Sequence, residues 1–234
     1  MIISANQPYF CPYPGFLYKA LLSDVLVILD EVQFPQRTTW IRRNRFKNDQ
    51  GTLWMTIPVW KKGLGRQQIN QVRVCYEGRW ARKHPESLKS FYVNAPYLGD
   101  HLGFIEEIFS SRFEKLIDLN LAIIRYLLNC LQIETRLVLL SELGVKGQAT
   151  QLLVDVCKAM GASTFVAQSQ AEKYLDSDLF RKNGIEPSYF RYSAPIYPQL
   201  WGDFIANLST FDLVFNCGPR ARDILMHHQP DATV

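Results

Sequence analysis

Two short apolar runs stand close together at the start of the chain, residues 2–5 and VLVIL at 25–29. A proline-stiffened loop and one short helical pattern, 16–22, lie between them. Strand, loop, helix, strand at this spacing is a βαβ opening, and the rapid return favours parallel pairing. Sheets of this kind bind ligands beyond the carboxyl ends of their strands. The loop after Ala5 and the segment after Leu29 are therefore expected side by side at the mouth of one site. Further strands are predicted at 52–59, 72–76, 134–140 and 164–167, and helices at 81–93, 101–109, 116–131, 148–160, 174–183 and 220–227. The implied fold is α/β, a mostly parallel sheet with flanking helices. Its Rossmann-like or nucleotidyltransferase-like core carries a small basic β insertion at about 50–78, all within one domain spanning 1–234.

Charge is distributed unevenly. From Arg37 to Lys83 the chain holds twelve basic residues against Asp49 and Glu77, a formal +10, while the remainder carries −6. A net charge of +4 hides this asymmetry, which points to a localised anion site. Other classes of function are less well supplied. The five cysteines are odd in number and scattered, with no CxxC pair and no zinc-like His/Cys spacing. Residues 1–10 lack the basic and apolar regions of a signal peptide, and the most apolar stretch, 116–131, is short and broken by Asp118, Asn120, Arg125 and Asn129. A cytoplasmic chain without an integral membrane segment is expected. No Walker loop, GxGxxG, HExxH or GxSxG occurs.

Three segments carry the candidate chemistry. In the loop 6–15, Asn6, Gln7, Tyr9 and Tyr13 stand on a backbone that three prolines pre-organise. At the end of the second strand, Asp30 is the candidate proton acceptor or orienting group, with Gln33 beside it and Glu31 adjacent. Arg37, Arg43 and Arg45 offer bidentate donors to phosphate, Asn44 sits among them, and Trp40 offers a stacking face. Ser169 and Asn216 follow later elements and are expected near the same edge. Asn216–Pro219 reads as a tight turn before the final helix, in which Cys217 lacks a partner histidine. His84 reads as an exposed helical residue, and His227 and His228 as caps of the last helix.

In order along the chain, QPYFCPYPGF, SDVLVILDEVQF, the R-x-x-W-x-x-R-N-R stretch, NAPYL, SELG, GAS-x-F with KYLD, and LSTFDLVFNCGP resemble the WbqC-like family over nearly the full length. The resemblance implies a role in bacterial polysaccharide or O-antigen clusters, as a transferase placing a glycyl or other acyl group on an amino sugar. The implied partners are a nucleotide-linked amino sugar and an activated glycyl donor, either an aminoacyl-tRNA or an adenylate; no cofactor is named. The chain departs from the family pattern at Ala167-Gln168-Ser169 and at Arg42, departures that would bear on substrate choice. The opening is also similar to pantothenate synthetase and its nucleotidyltransferase relatives, but no histidine precedes His84, so their phosphate signature is not carried over. Alternatives are an adenylate-forming or nucleotidyltransfer reaction, and a non-enzymatic nucleotide-sugar- or RNA-binding accessory protein.

Overall fold

The computed structural model describes residues 1–37 and 39–227. Its core is a five-stranded sheet of β1 (Ile2–Asn6), β2 (Val25–Ile28), β5 (Arg136–Leu139), β6 (Thr164–Gln168) and β7 (Glu186–Phe190). The spatial order is β5-β2-β1-β6-β7, and every pairing is parallel. A separate antiparallel pair, β3 (Arg43–Asn48) and β4 (Gly51–Thr56), forms the small basic insertion. The helices are α1 (Pro14–Leu21), α2 (Trp80–Phe91), α3 (Leu98–Ser110), α4 (Leu116–Cys130), α5 (Leu140–Leu143), α6 (Ala149–Met160), α7 (Ser177–Lys182), α8 (Thr210–Cys217) and α9 (Ala221–Met226).

Strand alternation assigns the faces. Ile3, Ala5, Val25 and Val27 pack with Leu152, Val156 and Phe180 of α6 and α7. Leu26 and Ile28 turn to the other face, towards α1, α3, α4 and α8. Both faces of β2 are buried, which is why its sequence is continuously apolar rather than alternating. Fully burying each of these aliphatic side chains contributes about 1.5–3 kcal/mol.

β1 is the point at which the chain order reverses: β2 and β5 lie to one side, β6 and β7 to the other. Its buried Ser4 hydroxyl pairs with that of Ser23 at 2.8 Å. From α1, the buried Lys19 reaches the end of β1, donating to the Ala5 carbonyl at 2.8 Å and to Asn6 Oδ1 at 3.0 Å. Burial lowers its pKa to about 7.

The insertion corrects the expected strands. Residues 72–76 form no strand; Val74 and Arg73 make only isolated bridges, to Val59 and Lys115. The hairpin forms instead between the basic run 43–48 and Gly51–Thr56. Alternation within the basic run explains this: Asn44 and Phe46 are buried while Arg43 and Arg45 are not, a period-two pattern that a count of charges conceals. The predicted helix 174–183 is likewise shorter, Ser177–Lys182, because Asp176 caps it by accepting from the Leu179 N–H at 2.9 Å.

Candidate functional site

The loop after β1 is held at almost every carbonyl. Asn120 Nδ2 donates to Pro8 (2.8 Å) and Ile41 (2.7 Å), and Asn44 Nδ2 donates to Phe10 (3.1 Å) and Cys11 (2.7 Å). The Thr210 hydroxyl donates to Pro12 at 2.8 Å, and the Phe10 N–H donates to the Trp40 carbonyl at 2.9 Å. Prolines restrict the loop, and buried amides from α4 and β3 fix what freedom is left. Gly15 completes the fit, since a Cβ there would lie 2.4 Å from the Tyr13 ring and 2.7 Å from that of Tyr192.

This rigid loop forms one wall of a cavity of about 330 Å³ lined by Tyr9, Tyr13, Trp40, Asn44, Arg45 and Asn207. Gln168, at the end of β6, donates to the Tyr13 hydroxyl at 2.6 Å. The cavity is thus tied to the carboxyl ends of β1 and β6, where the sheet order reverses and open α/β sheets bind ligands. Burial raises the pKa of both Tyr9 and Tyr13, so they remain protonated donors across the neutral range.

The opposite wall is cationic and aromatic. Trp40 and Trp54 stack with centroids 5.7 Å apart. The Arg43 guanidinium lies 3.5 Å from the Trp54 centroid, and that of Arg45 lies 5.9 Å from Trp40 and 6.0 Å from Trp54. Arg45 also donates to the Ala206 and Asn207 carbonyls at 3.2 Å each, bringing the segment before α8 to the rim. The Nε atoms of Arg42, Arg43 and Arg45 are covered and have no acceptor among the described residues. Covering three guanidinium N–H groups without partners opposes folding.

The structure distributes the predicted site residues rather than gathering them. Tyr9, Trp40, Asn44 and Arg45 line the cavity, and Arg43 backs it through Trp54. Asp30 is buried and satisfied elsewhere: it accepts from the Ser141 N–H (3.0 Å), the Ser141 hydroxyl (2.6 Å) and Asn70 Nδ2 (3.5 Å). Next to it, Glu31, Val32, Gln68, Leu140, Val145, Lys146, Gly147 and Leu152 line a different cleft of about 260 Å³. Gln33 is exposed and bridges to Gln68, and Arg37 is exposed. Gln7 and Ser169 are half-buried and line neither space.

Asn216 departs from the expected turn. It lies inside α8 and donates to the Asp212 carbonyl at 2.7 Å. The turn begins two residues later, at Gly218, whose φ is +49°. Cys217 is buried, and burial raises its pKa to about 11. His84 is half-buried rather than exposed, its Nε2 3.0 Å from the Thr56 carbonyl. His227 caps the last helix through its N–H to the Asp223 carbonyl, and His228 lies outside the described residues.

Sequence reasoning passed over a second buried polar centre. Asp212 accepts from the hydroxyls of Tyr92 (2.7 Å) and Tyr197 (2.8 Å), and burial raises its pKa. Lys47 is buried beside it, donating to the Asp203 carbonyl (2.6 Å) and Gln199 Oε1 (3.2 Å). A single carboxylate inside the apolar run of α8 was the available signal. Asn207 and Trp54 gave less warning, because their relevance depends on a loop crossing and a strand register.

Among the described residues, no group of three or more His, Cys, Asp or Glu could hold a metal ion, and no helix is long and apolar enough to cross a membrane. No solved structure matches the chain. An uncharacterized protein of Mycobacterium tuberculosis, Rv1507c, is 30% identical over 228 residues, covering 96% of this chain and 97% of that protein. The WbqC-like protein family matches residues 7–224, from the proline-rich loop to the last helix. The chain belongs to the WbqC-like protein family.

Proposed function

We propose that the protein is a transferase that places a glycyl or similar acyl group on the amine of a nucleotide-linked amino sugar. One observation carries the reading: a cavity at the strand-order reversal with tyrosine hydroxyls and an asparagine on one side and a stacked Trp–Arg wall on the other. Trp40 would take the base, Arg45 would face the diphosphate, and Tyr9, Tyr13 and Asn207 would hydrogen-bond the sugar. The amine nitrogen attacks the carbonyl carbon of the activated donor. A C–N bond forms, the bond to the donor's leaving oxygen or sulfur breaks, and the nitrogen's proton departs with that leaving group. The lining holds no carboxylate, imidazole or thiol, so its contribution is positioning and electrostatic stabilisation rather than proton transfer. Asp30, held by Ser141 and Asn70, is given an architectural role in this scheme.

The test is to incubate the purified protein with UDP- and dTDP-linked amino sugars and with glycyl donors presented as adenylate, thioester or aminoacyl-tRNA. The expected product is the amino sugar heavier by one glycyl residue. Binding of the nucleotide sugar without product from any donor would overturn the transferase reading. It would favour a second one, a nucleotide-sugar-binding accessory protein, which the same lack of acid–base groups in the lining supports.

A further inference from the structure

The cavity accounts for only part of the basic surface. From it, planar and cationic groups follow one another across the outer face of the hairpin: Arg45 and Trp40 at the rim, Trp54 stacked on Trp40, Arg43 against Trp54, then Arg42 and Lys61. Arg42 is close enough to Arg43, and Lys61 to Arg42, for each to feel the neighbouring charge. Among the described residues, none of the ion pairs involves any of these four cations, or Arg37 or Arg66. Trp40 and Trp54 are 41% and 43% exposed and stacked on one another, so they present one contiguous aromatic patch.

We infer that this strip is a binding track for a single-stranded polynucleotide, with one end of the strand at the 330 Å³ cavity and its backbone running towards Lys61. Exposed rings interleaved with guanidinium groups suit unpaired bases, which offer a π-face to each ring and a phosphate to each cation. A duplex buries those faces in its base stack and could offer the exposed rings nothing but its backbone. A diphosphate in the cavity would meet Arg45, the arginine of its lining; a longer chain is needed to reach Arg43, Arg42 and Lys61. The inference does not depend on the transfer reaction proposed above, although a strand ending at the cavity is where an RNA-borne acyl group would be delivered.

The test uses the full-length protein and a fluorescein-labelled oligouridylate of roughly twelve nucleotides, within the usual span of single-strand sites. An oligothymidylate, a duplex of equal length and phosphatidylglycerol vesicles serve as the other arms. Single strands are expected to bind and the duplex to bind much more weakly. The slope of log affinity against log salt should be about −3 for four cations. Trp40→Ala should weaken binding about tenfold or more, and Arg42→Ala should reduce the slope by about 0.7. Trp40 lies outside the hairpin strands, so its substitution tests stacking with β3 and β4 intact, and a matched thermal melt confirms folding. Either oligonucleotide supports the inference, and the tighter of the two names its natural source. Equal affinity for the duplex, indifference to Trp40→Ala, or binding to the vesicles but not the strands would overturn it. A protein that binds UDP yet ignores both strands loses this inference alone and keeps the nucleotide-sugar reading.

Discussion

The carboxyl edge of the sheet carries two recesses built on opposite principles. Beyond β1 and β6 the walls are tyrosine, tryptophan, asparagine and arginine. Beside the recess beyond β2 and β5, two carboxylates are already engaged. Asp30 has three donors, and Glu142 accepts from the Leu139 N–H at 3.0 Å. In the first recess Asn44, Arg45 and Tyr13 brace the walls while the stacked tryptophan rings stay exposed, whereas beside the second Asp30 joins β2, the 67–71 segment and α5. A strand-end carboxylate is therefore a weak sign of a site when donors of the same fold already meet its oxygens.

The sharpest way to break this contrast is Asp30→Ala. If Asp30 is a latch, losing two short bonds and one long bond to a buried charged acceptor should lower stability by about 3 kcal/mol, read from urea unfolding, while UDP affinity at the other recess stays unchanged. A loss of transferase turnover with stability intact would instead make Asp30 a chemical group.

A second measurement probes the support beneath the aromatic recess. The folded chain holds Lys19 at a pKa of about 7, well below its ordinary 10.5, because of burial. Between those values the unfolded chain retains a proton that the folded chain has released, so this residue makes stability rise with pH across that window. Below about 7 both states are protonated, and its unfavourable contribution is constant. In Lys19→Met the rise should vanish, so wild type should gain on the variant by about 1 kcal/mol per pH unit between about pH 7.5 and 9.5. Urea midpoints at several pH values check this. A constant difference would show that the two oxygen acceptors keep Lys19 charged.

Arg45→Ala should act on the open recess directly. Loss of a charge-assisted donor predicts UDP binding weaker by about tenfold to a hundredfold, roughly 1.5–3 kcal/mol, measured by titration calorimetry. Its cost to folding should be smaller, about 1 kcal/mol, because the Ala206 and Asn207 carbonyls it holds are on exposed residues that water can reach. Equal losses in the two measurements would mean that Arg45 serves the segment before α8 and not a ligand.

These contrasts show which parts of the molecule were legible in the sequence. The βαβ opening was, because continuous apolar character in 25–29 has few solutions besides a strand buried on both faces. Tyr9, Trp40, Asn44 and Arg45 could be selected individually from loop position and residue chemistry. Their assembly could not, because it depends on the 43–48 register against 51–56 and on the return of 206–207 from more than 150 residues away. Asp30 looked like a member of the same site for a related reason. Adjacency in sequence places it just after β2, but only tertiary structure reveals that Ser141 already meets its oxygens. Lys19 and Asp212 were hidden differently, as single charges inside apolar helices that composition averages away.

The smallest expected effect is also the most selective. Gln168, at the end of β6, touches the open recess through one bond, its amide donating to the Tyr13 hydroxyl at 2.6 Å. Gln168→Ala removes one neutral hydrogen bond, so stability should fall by no more than about 1 kcal/mol. Tyr13 packs edge-on against Tyr192 and should keep its place. Its hydroxyl, however, would be free to turn, and a sugar that uses it should lose affinity while the base and diphosphate keep theirs. The measurable consequence is a split: UDP binding unchanged, and binding of the UDP-linked amino sugar weakened several-fold. An equal change in both would place Tyr13 outside the sugar's reach and shift the recognition of that sugar to Tyr9 and Asn207.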